Sequence, residues 1–336
     1  YGSVMPRSTF LLALLASALC CVTTHAQNIR AGIIGLDTSH AIAFTKMLNA
    51  KTPQPPELMG VRVVAAYPQG SKDIESSTKR VPELTAQVKE HGVEIVSSID
   101  ELLDKVDVVF LESNDGRPHL EQLLPCLEAG KPTFIDKPIA GTLADAIRIF
   151  EASAKSRTPV FSSSSLRFGK NTQAVRQGSI GKVKSADTRS PASLEPTHPD
   201  LFWYGIHGVE SLFTTMGTGC LSVQRGITDD GKIQVTGTWE GDRTGIYRES
   251  SDTRKGYGGT ATGENGQTTE VGSFDGYEPL LHQIIHFFRT GVVPVSAEET
   301  LEIYAFMEAA DESKRRNGAA VTLAEVMDKA KKTITE

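Results

Sequence analysis

Along the first half of the chain, short apolar runs alternate with segments whose apolar residues recur every three or four positions. Runs of the first kind fit buried strands and segments of the second kind fit amphipathic helices, so the alternation predicts β-α-β units around a parallel sheet. The expected strands are residues 29–34, 61–66, 93–96, 106–111 and 133–135. Ser98 and Glu101 form a capping box for a short helix carrying Leu102 and Leu103, and a helix over 120–127 should stop at Gly130. Thr142 and Asp145 cap a further helix whose Leu143, Ala146, Ile147 and Phe150 share one face.

From about Val160 the pattern shifts to β-branched residues and turn glycines. Strands are expected near 183–188, 220–225, 233–239, 244–249 and 267–272, with Asp230-Gly231 and Glu240-Gly241 as turns. Two long helices should follow, one through 280–289 and one from the Ser296/Glu299 capping box to Asn317-Gly318. The expected fold class is α/β: a doubly wound parallel sheet over 28–158, then an α+β domain with an open, mostly antiparallel sheet and C-terminal helices over 159–336.

Residues 1–26 stand outside both domains. Arg7 precedes an apolar run from Phe10 to Val22, and Thr24-His25-Ala26 ends in small residues. This is the pattern of an export signal cleaved near Ala26, too short to span a bilayer, and it predicts a periplasmic or secreted mature chain without a stable membrane anchor. Ser17-Ala18-Leu19 before Cys20 makes a poor lipoprotein site. The two remaining cysteines, Cys126 and Cys220, are expected in different domains and suit core positions better than a disulfide framework.

With 35 Lys plus Arg against 41 Asp plus Glu and 39% hydrophobic residues, the chain should fold, and its net charge of −6 excludes a nucleic-acid specialist. No Cys or His spacing resembles a structural zinc site. His198, Asp200, His207 and Glu210 include suitable donors for a divalent cation, but Pro199 and the uneven spacing argue against it, and no metal site is expected.

The chemistry is expected at the carboxyl ends of the first sheet's strands. A strand ending at Gly35 and followed by a helix offers free N–H groups and a positive dipole end to phosphate. The usual fingerprint there is G-x-G-x-x-G, whereas this chain has Gly35-Leu36-Asp37-Thr38-Ser39-His40. Asp37 would bring bulk and a like charge toward a pyrophosphate, and His40 fills the third glycine position. Two readings stay open: a dinucleotide held in a shifted pose by Thr38 and Ser39, or an Asp and a Ser that merely cap the helix. The second strand is followed by Tyr67 rather than the acid that grips the ribose of NAD, and Ser71 with Lys72 could take the extra phosphate of NADP, which tilts the expectation toward NADP. Lys137 stands after the fifth strand in Asp136-Lys137-Pro138.

The order of these pieces, strand-Gly35-helix, then 113–119 with Asn114, then Glu128-Ala129-Gly130-Lys131-Pro132, then Asp136-Lys137-Pro138, resembles the glucose-fructose oxidoreductase / inositol dehydrogenase / MocA (Gfo/Idh/MocA) family. The likeness continues through Leu166-Arg167-Phe168, residues 177–183 and Gly205-Ile206-His207-Gly208-Val209-Glu210, covering about 28–330. The resemblance implies a Rossmann first domain, a nicotinamide cofactor near Lys137, an acid/base role for His207 with Glu210 as its carboxylate neighbour, Asp136 in place of the family's Glu, and association of copies through the second sheet. Trp203, where the family has an acid, offers a stacking surface for a sugar ring, with Arg167 and Tyr204 as further substrate contacts.

The implied function is an exported NAD(P)-dependent oxidoreductase that takes hydride from a secondary alcohol of a sugar, cyclitol or related polyol. Two alternatives remain: a glycosidase that retains its dinucleotide, and a sugar-binding or structural protein that has lost cofactor use, the latter favoured by Asp37, His40 and Tyr67 and by an export route that leaves nicotinamide nucleotides behind.

Overall fold

The computed structural model describes residues 1–2, 28–52, 54–252 and 256–335, so the expected leader lies, apart from its first two residues, outside the described residues. The first domain runs β1 (Ile29–Ile34), α1 (Ser39–Leu48), β2 (Val61–Tyr67), α2 (Glu75–Glu90), β3 (Glu94–Ile95), α3 (Ile99–Leu103), β4 (Val108–Leu111), α4 (His119–Glu128), β5 (Thr133–Ile135), α5 (Leu143–Ser156) and β6 (Val160–Ser162). Its six strands lie in the order β3-β2-β1-β4-β5-β6, all parallel. The chain reverses its direction of travel across the sheet between β1 and β4, which opens a crevice at their carboxyl ends. Gly35 keeps that crevice tight: its φ is +91°, and a Cβ there would lie 2.4 Å from the backbone nitrogen of Ser113.

The expected domain boundary at 158/159 falls one strand early. Val160, Phe161 and Ser162 pair with Thr133, Phe134 and Ile135 of β5, so the parallel sheet runs on to residue 162. A three-residue buried strand carries too little pattern to be told from the start of a new domain.

The second domain contains a 3₁₀ turn at Ser165–Phe168, then α6 (Lys170–Arg176), β7 (Val183–Ser190), a π-helical turn at Leu201–Gly205 that runs into α7 (Ile206–Met216), β8 (Cys220–Ile227), β9 (Ile233–Trp239), β10 (Arg243–Glu249), β11 (Gly258–Gly263), β12 (Thr268–Val271), α8 (Glu278–Thr290), α9 (Ala297–Arg315), β13 (Val321–Thr322) and α10 (Leu323–Thr335). Its seven strands are ordered β12-β11-β7-β10-β9-β8-β13, and only the β10/β7 pair is parallel. Gly231 and Gly241, with φ of +80° and +71°, close the two expected turns. β11 escapes prediction because Gly258-Gly259 reads as loop. The glycine is there because β7 is so close that a Cβ on Gly259 would lie 2.2 Å from the Asp187 carbonyl oxygen.

Every residue of α7 is buried, as befits a helix wedged between a sheet and the domain interface. α8 leaves its own sheet: Leu280, Leu281, Ile284, Ile285, Phe287 and Phe288 share a core with Phe44, Phe110, Phe134 and Phe161 of the first domain. The rings of Phe110 and Phe288 stand 5.1 Å apart, and those of Phe161 and Phe287 5.0 Å apart. This packing clamps the second domain over the crevice of the first. Cys126 and Cys220 are buried free thiols, and burial pushes Cys126 up to about 12.

Candidate active site

A cleft of about 330 Å³ opens between the domains over the β1/β4 crevice. On its first-domain wall, Thr38 caps α1 by accepting the Ala41 N–H, and Ser39 bonds the hydroxyl of Tyr277 at 3.0 Å. Asp37 does not project into the cleft. Its carboxylate turns inward, is almost wholly buried, and accepts the Ser77 hydroxyl at 2.6 Å and the Asn114 backbone N–H at 2.9 Å. Burial raises its pKa, while those two hydrogen bonds oppose the rise. The expected obstruction at the second glycine position is thereby relieved: Asp37 ties the β1/α1 loop to α2 and to the end of β4.

What faces the cleft instead are Thr38 and Ser39 at the start of α1, Asn114 after β4, and Ser76 and Arg80 from α2. A helix N-terminus, hydroxyls, an amide and a guanidinium make a donor set suited to a polyanion. Ser76 and Arg80 were missed because α2 carries no fingerprint for them.

The loop after β2 does not assemble as expected. Ser71 donates to Asp115 at 2.5 Å, Lys72 is exposed and forms no part of the cleft lining, and Tyr67 contributes its backbone carbonyl to the Gly35 N–H at 3.0 Å. Asp115 also accepts from Arg117, whose fork is shared with Asp73, and lies 3.1 Å from His198. Burial opposes the ionised form of Asp115, but His198, Arg117 and Ser71 hold its carboxyl well below the usual range.

At the floor, Asp136 and Lys137 follow β5. Asp136 Oδ1 accepts both the Lys137 backbone N–H at 2.8 Å and His40 Nδ1 at 2.9 Å, and the Lys137 ammonium stands 3.9 Å from Oδ2. Burial would raise this carboxyl, but the His40 ring and the Lys137 charge keep it down at about 2. Glu112, directly after the fully apolar β4, is completely buried behind them, with Thr38 donating to it at 3.3 Å. Burial, then the neighbouring Asp136 charge, pushes Glu112 well above the carboxylate range. An acid at the carboxyl end of a central strand was a visible signal, left unused because it belonged to no motif.

Across the cleft, the π-helical turn presents Trp203 and Tyr204, and α7 presents His207. His207 Nδ1 is 2.7 Å from the Ser164 hydroxyl, and its ring meets Tyr204 and Tyr257 edge-on. Burial, then the charges of Lys137 and His40, hold its imidazolium pKa well below the ordinary histidine range, so the ring is neutral. The Trp203 ring stands 4.8 Å from that of His198 at a tilt of 51°, with Tyr257, Phe274 and Tyr277 completing an aromatic wall.

Arg167 and Glu210 stand apart from this arrangement. Both are buried behind the cleft, paired at 2.5 Å, with Arg167 also 2.7 Å from Glu299 and Glu210 accepting the Ser163 hydroxyl at 2.8 Å. Neither lines the cleft, so the expected substrate contact by Arg167 and catalytic contact by Glu210 are not what the geometry offers. Nor do His198, Asp200, His207 and Glu210 gather: Asp200 bonds Arg225 and Lys314.

Residues 29–163 match a family model, GFO_IDH_MocA, described as an oxidoreductase family with an NAD-binding Rossmann fold. Two curated proteins are similar. Myo-inositol 2-dehydrogenase of Thermotoga maritima is 34% identical over 93 residues, 26% of this chain and 28% of that protein. The uncharacterized oxidoreductase YhhX of Escherichia coli is 25% identical over 149 residues, 40% of this chain and 43% of that protein. The chain thus matches less than half the length of either. Among solved structures, scyllo-inositol dehydrogenase from Lactobacillus casei with bound NAD(H) and scyllo-inositol superposes with a TM-score of 0.68 at 17% identity, over 89% of this chain and 100% of that one. Myo-inositol dehydrogenase from the same organism, in complex with NAD(H) and myo-inositol, gives 0.67 at 17%, over 88% and 96%. At these identities the likeness establishes the two-domain fold.

Proposed function

We propose, from the match of residues 29–163 to the Gfo/Idh/MocA oxidoreductase family, that the chain oxidises a secondary alcohol of a cyclitol, sugar or related polyol with a nicotinamide dinucleotide. The observation that carries the reading is that Lys137 and His207, some seventy residues apart in sequence and in different domains, line one cleft beside an anion-suited α1 N-terminus.

The residues present fit the dinucleotide. Thr38, Ser39, Ser76, Arg80 and Asn114 would hold its pyrophosphate, since the Asp37 carboxylate is spent on Ser77 and Asn114. When bound, the cofactor supplies the hydride acceptor. NAD is the proposed form, because the Ser71 hydroxyl in the loop after β2 is committed to Asp115 in the loop after β4 and is not free for a further phosphate.

The rest is done by the chain's own groups. Lys137 donates a hydrogen bond to the alcohol oxygen and stabilises negative charge as it develops there. In the tautomer whose Nδ1 donates to Ser164, the Nε2 of His207 is an open acceptor for the hydroxyl proton, and the neutral state of the ring at pH 7 keeps it available. Asp136 positions Lys137 through its backbone N–H. Trp203, Tyr204, Tyr257 and Phe274 offer ring faces to the C–H surface of a cyclic polyol. The leader-like sequence of residues 5–26 supports a reading in which the reaction runs outside the cytoplasm.

The test is absorbance at 340 nm with the full chain, NAD or NADP, and a panel of inositols and sugars. A rise with NAD and a polyol, lost in Lys137→Ala, supports the proposal. Absence of turnover together with no nucleotide binding at about millimolar concentration, a thousandfold above tight cofactor affinities, overturns it. Glycoside cleavage without net NADH would transfer the site to a dinucleotide-retaining glycosidase.

A further inference from the structure

Beneath the cleft floor, three ligand-type side chains converge that the proposed hydride chemistry does not require as a set. The Nδ1 of His40, a carboxylate oxygen of Glu112 and one of Asp136 all lie within 4.8 Å of one another, and all three residues are buried. Two of their carboxylate oxygens, Glu112 Oε1 and Asp136 Oδ2, are fully buried and have no hydrogen-bond partner among the described residues. Leaving such oxygens unsatisfied is costly. Each residue comes from a different element at the carboxyl edge of the parallel sheet: His40 from the first turn of α1, Glu112 directly after β4, Asp136 directly after β5. Packing fixes them in place, for the His40 ring is held between Phe44 at 5.5 Å and Tyr277 at 4.6 Å.

One imidazole nitrogen and two carboxylates at this spacing form the ligand set of a divalent transition-metal cation. We propose that His40, Glu112 and Asp136 bind one such ion, with Zn²⁺ or Mn²⁺ as the chemical type. The three atoms need to move by only a fraction of their present separation to reach bonding distances of about 2.0–2.2 Å. Because His40 and Asp136 also line the cleft, the ion's remaining positions face the cavity. The Lys137 ammonium, 3.9 Å from Asp136 Oδ2, is the cation that partly balances the pair in the ion's absence and would swing toward the cleft when it binds. The pyrophosphate donors Thr38, Ser39, Ser76, Arg80 and Asn114 are not ligands here, although Thr38 adjoins the site through its hydrogen bond to Glu112 at 3.3 Å.

The experiment is metal analysis of the full chain, stripped with a chelator and then saturated separately with Zn²⁺ and Mn²⁺, alongside Glu112→Gln and His40→Gln. The expected result is about one equivalent bound to the unmodified chain, with each substitution lowering affinity by about 10-fold or more, while nucleotide binding followed on the same samples reports on the other proposal separately. No stoichiometric binding to the unmodified chain, or an affinity in both variants equal to that of the unmodified chain, overturns the site. Should the variants not fold, the visible spectrum of the Co²⁺-loaded unmodified chain decides: bands of nitrogen- and oxygen-ligated Co²⁺ support the assignment, and thiolate charge-transfer bands alone or no bands at all refute it.

Discussion

Two buried charge clusters lie back to back in this molecule, built from the same kinds of residue and put to opposite uses. Behind the cleft, Arg167 reaches Glu210 at 2.5 Å and Glu299 at 2.7 Å, and Arg176 closes on Glu299 at 2.7 Å, so that among the described residues a single nitrogen of Arg167 is left without a partner. Facing the cleft, the Lys137 ammonium has the Asp136 carboxylate no nearer than 3.9 Å, His207 keeps one ring nitrogen outside its bond to Ser164, and Glu112 and Asp136 each hold an oxygen unpartnered among the described residues. A satisfied cluster fixes the junction of α7, α9 and the 3₁₀ turn, whereas an unsatisfied one has capacity left for a ligand. Burial and charge are common to both, so the pairing tells them apart.

The largest effect should come from the satisfied side. Glu210→Ala strands the Arg167 guanidinium with half its partners, and the expected cost in unfolding free energy is about 3–5 kcal/mol, read by denaturant titration. If stability holds and turnover alone collapses, Glu210 belongs to the chemistry and the comparison breaks. His207→Ala is the mirror experiment. It removes the proposed base but no ion pair, so kcat should fall about 100-fold or more while the unfolding midpoint moves little. Unchanged turnover would take His207 out of the mechanism.

The same contrast explains how far the sequence could be read. The parallel sheet, the Thr142 and Ser296 caps, the Gly231 and Gly241 turns and the residues Lys137 and His207 announce themselves through period, cap chemistry and order along the chain. Arg167 and Glu210 carry the charges expected of site residues, and nothing in linear order shows that they neutralise each other and Glu299. Glu299 hides its role further, since its backbone N–H takes the Ser296 cap while its carboxylate crosses to Arg167 and Arg176. Glu112 and Arg80 were passed over for the opposite reason: they sit in no motif, and only the fold brings them to the crevice. β6, β11 and β13 were missed because two- and three-residue strands, or strands of glycine, carry no usable period.

Asp37 belongs with the satisfied cluster although it stands at a cofactor-binding position. Asp37→Gly would restore the usual glycine but orphan the Asn114 N–H and the Ser77 hydroxyl, and the expected outcome is a loss of about 1–3 kcal/mol in stability with no gain in dinucleotide affinity. Tighter nucleotide binding in that variant, measured by calorimetry, would show that the carboxylate obstructs the pyrophosphate after all.

The subtlest prediction concerns pH. Burial and the Lys137 charge both penalise protonated His207, so the proton-accepting form persists to lower pH than for an ordinary histidine, and the acid limb of kcat/KM should lie below the usual histidine range. The two clusters then separate by position of the limb rather than by rate. Lys137→Gln slows the reaction but also removes a positive charge that disfavours imidazolium, so the limb should move upward. Glu210 is not among the charges that set the His207 equilibrium, and Glu210→Gln should leave the limb where it was, whatever it does to stability. A limb that shifts with Glu210→Gln and stays fixed with Lys137→Gln would mean that the buried pair, not the cleft lysine, governs the base.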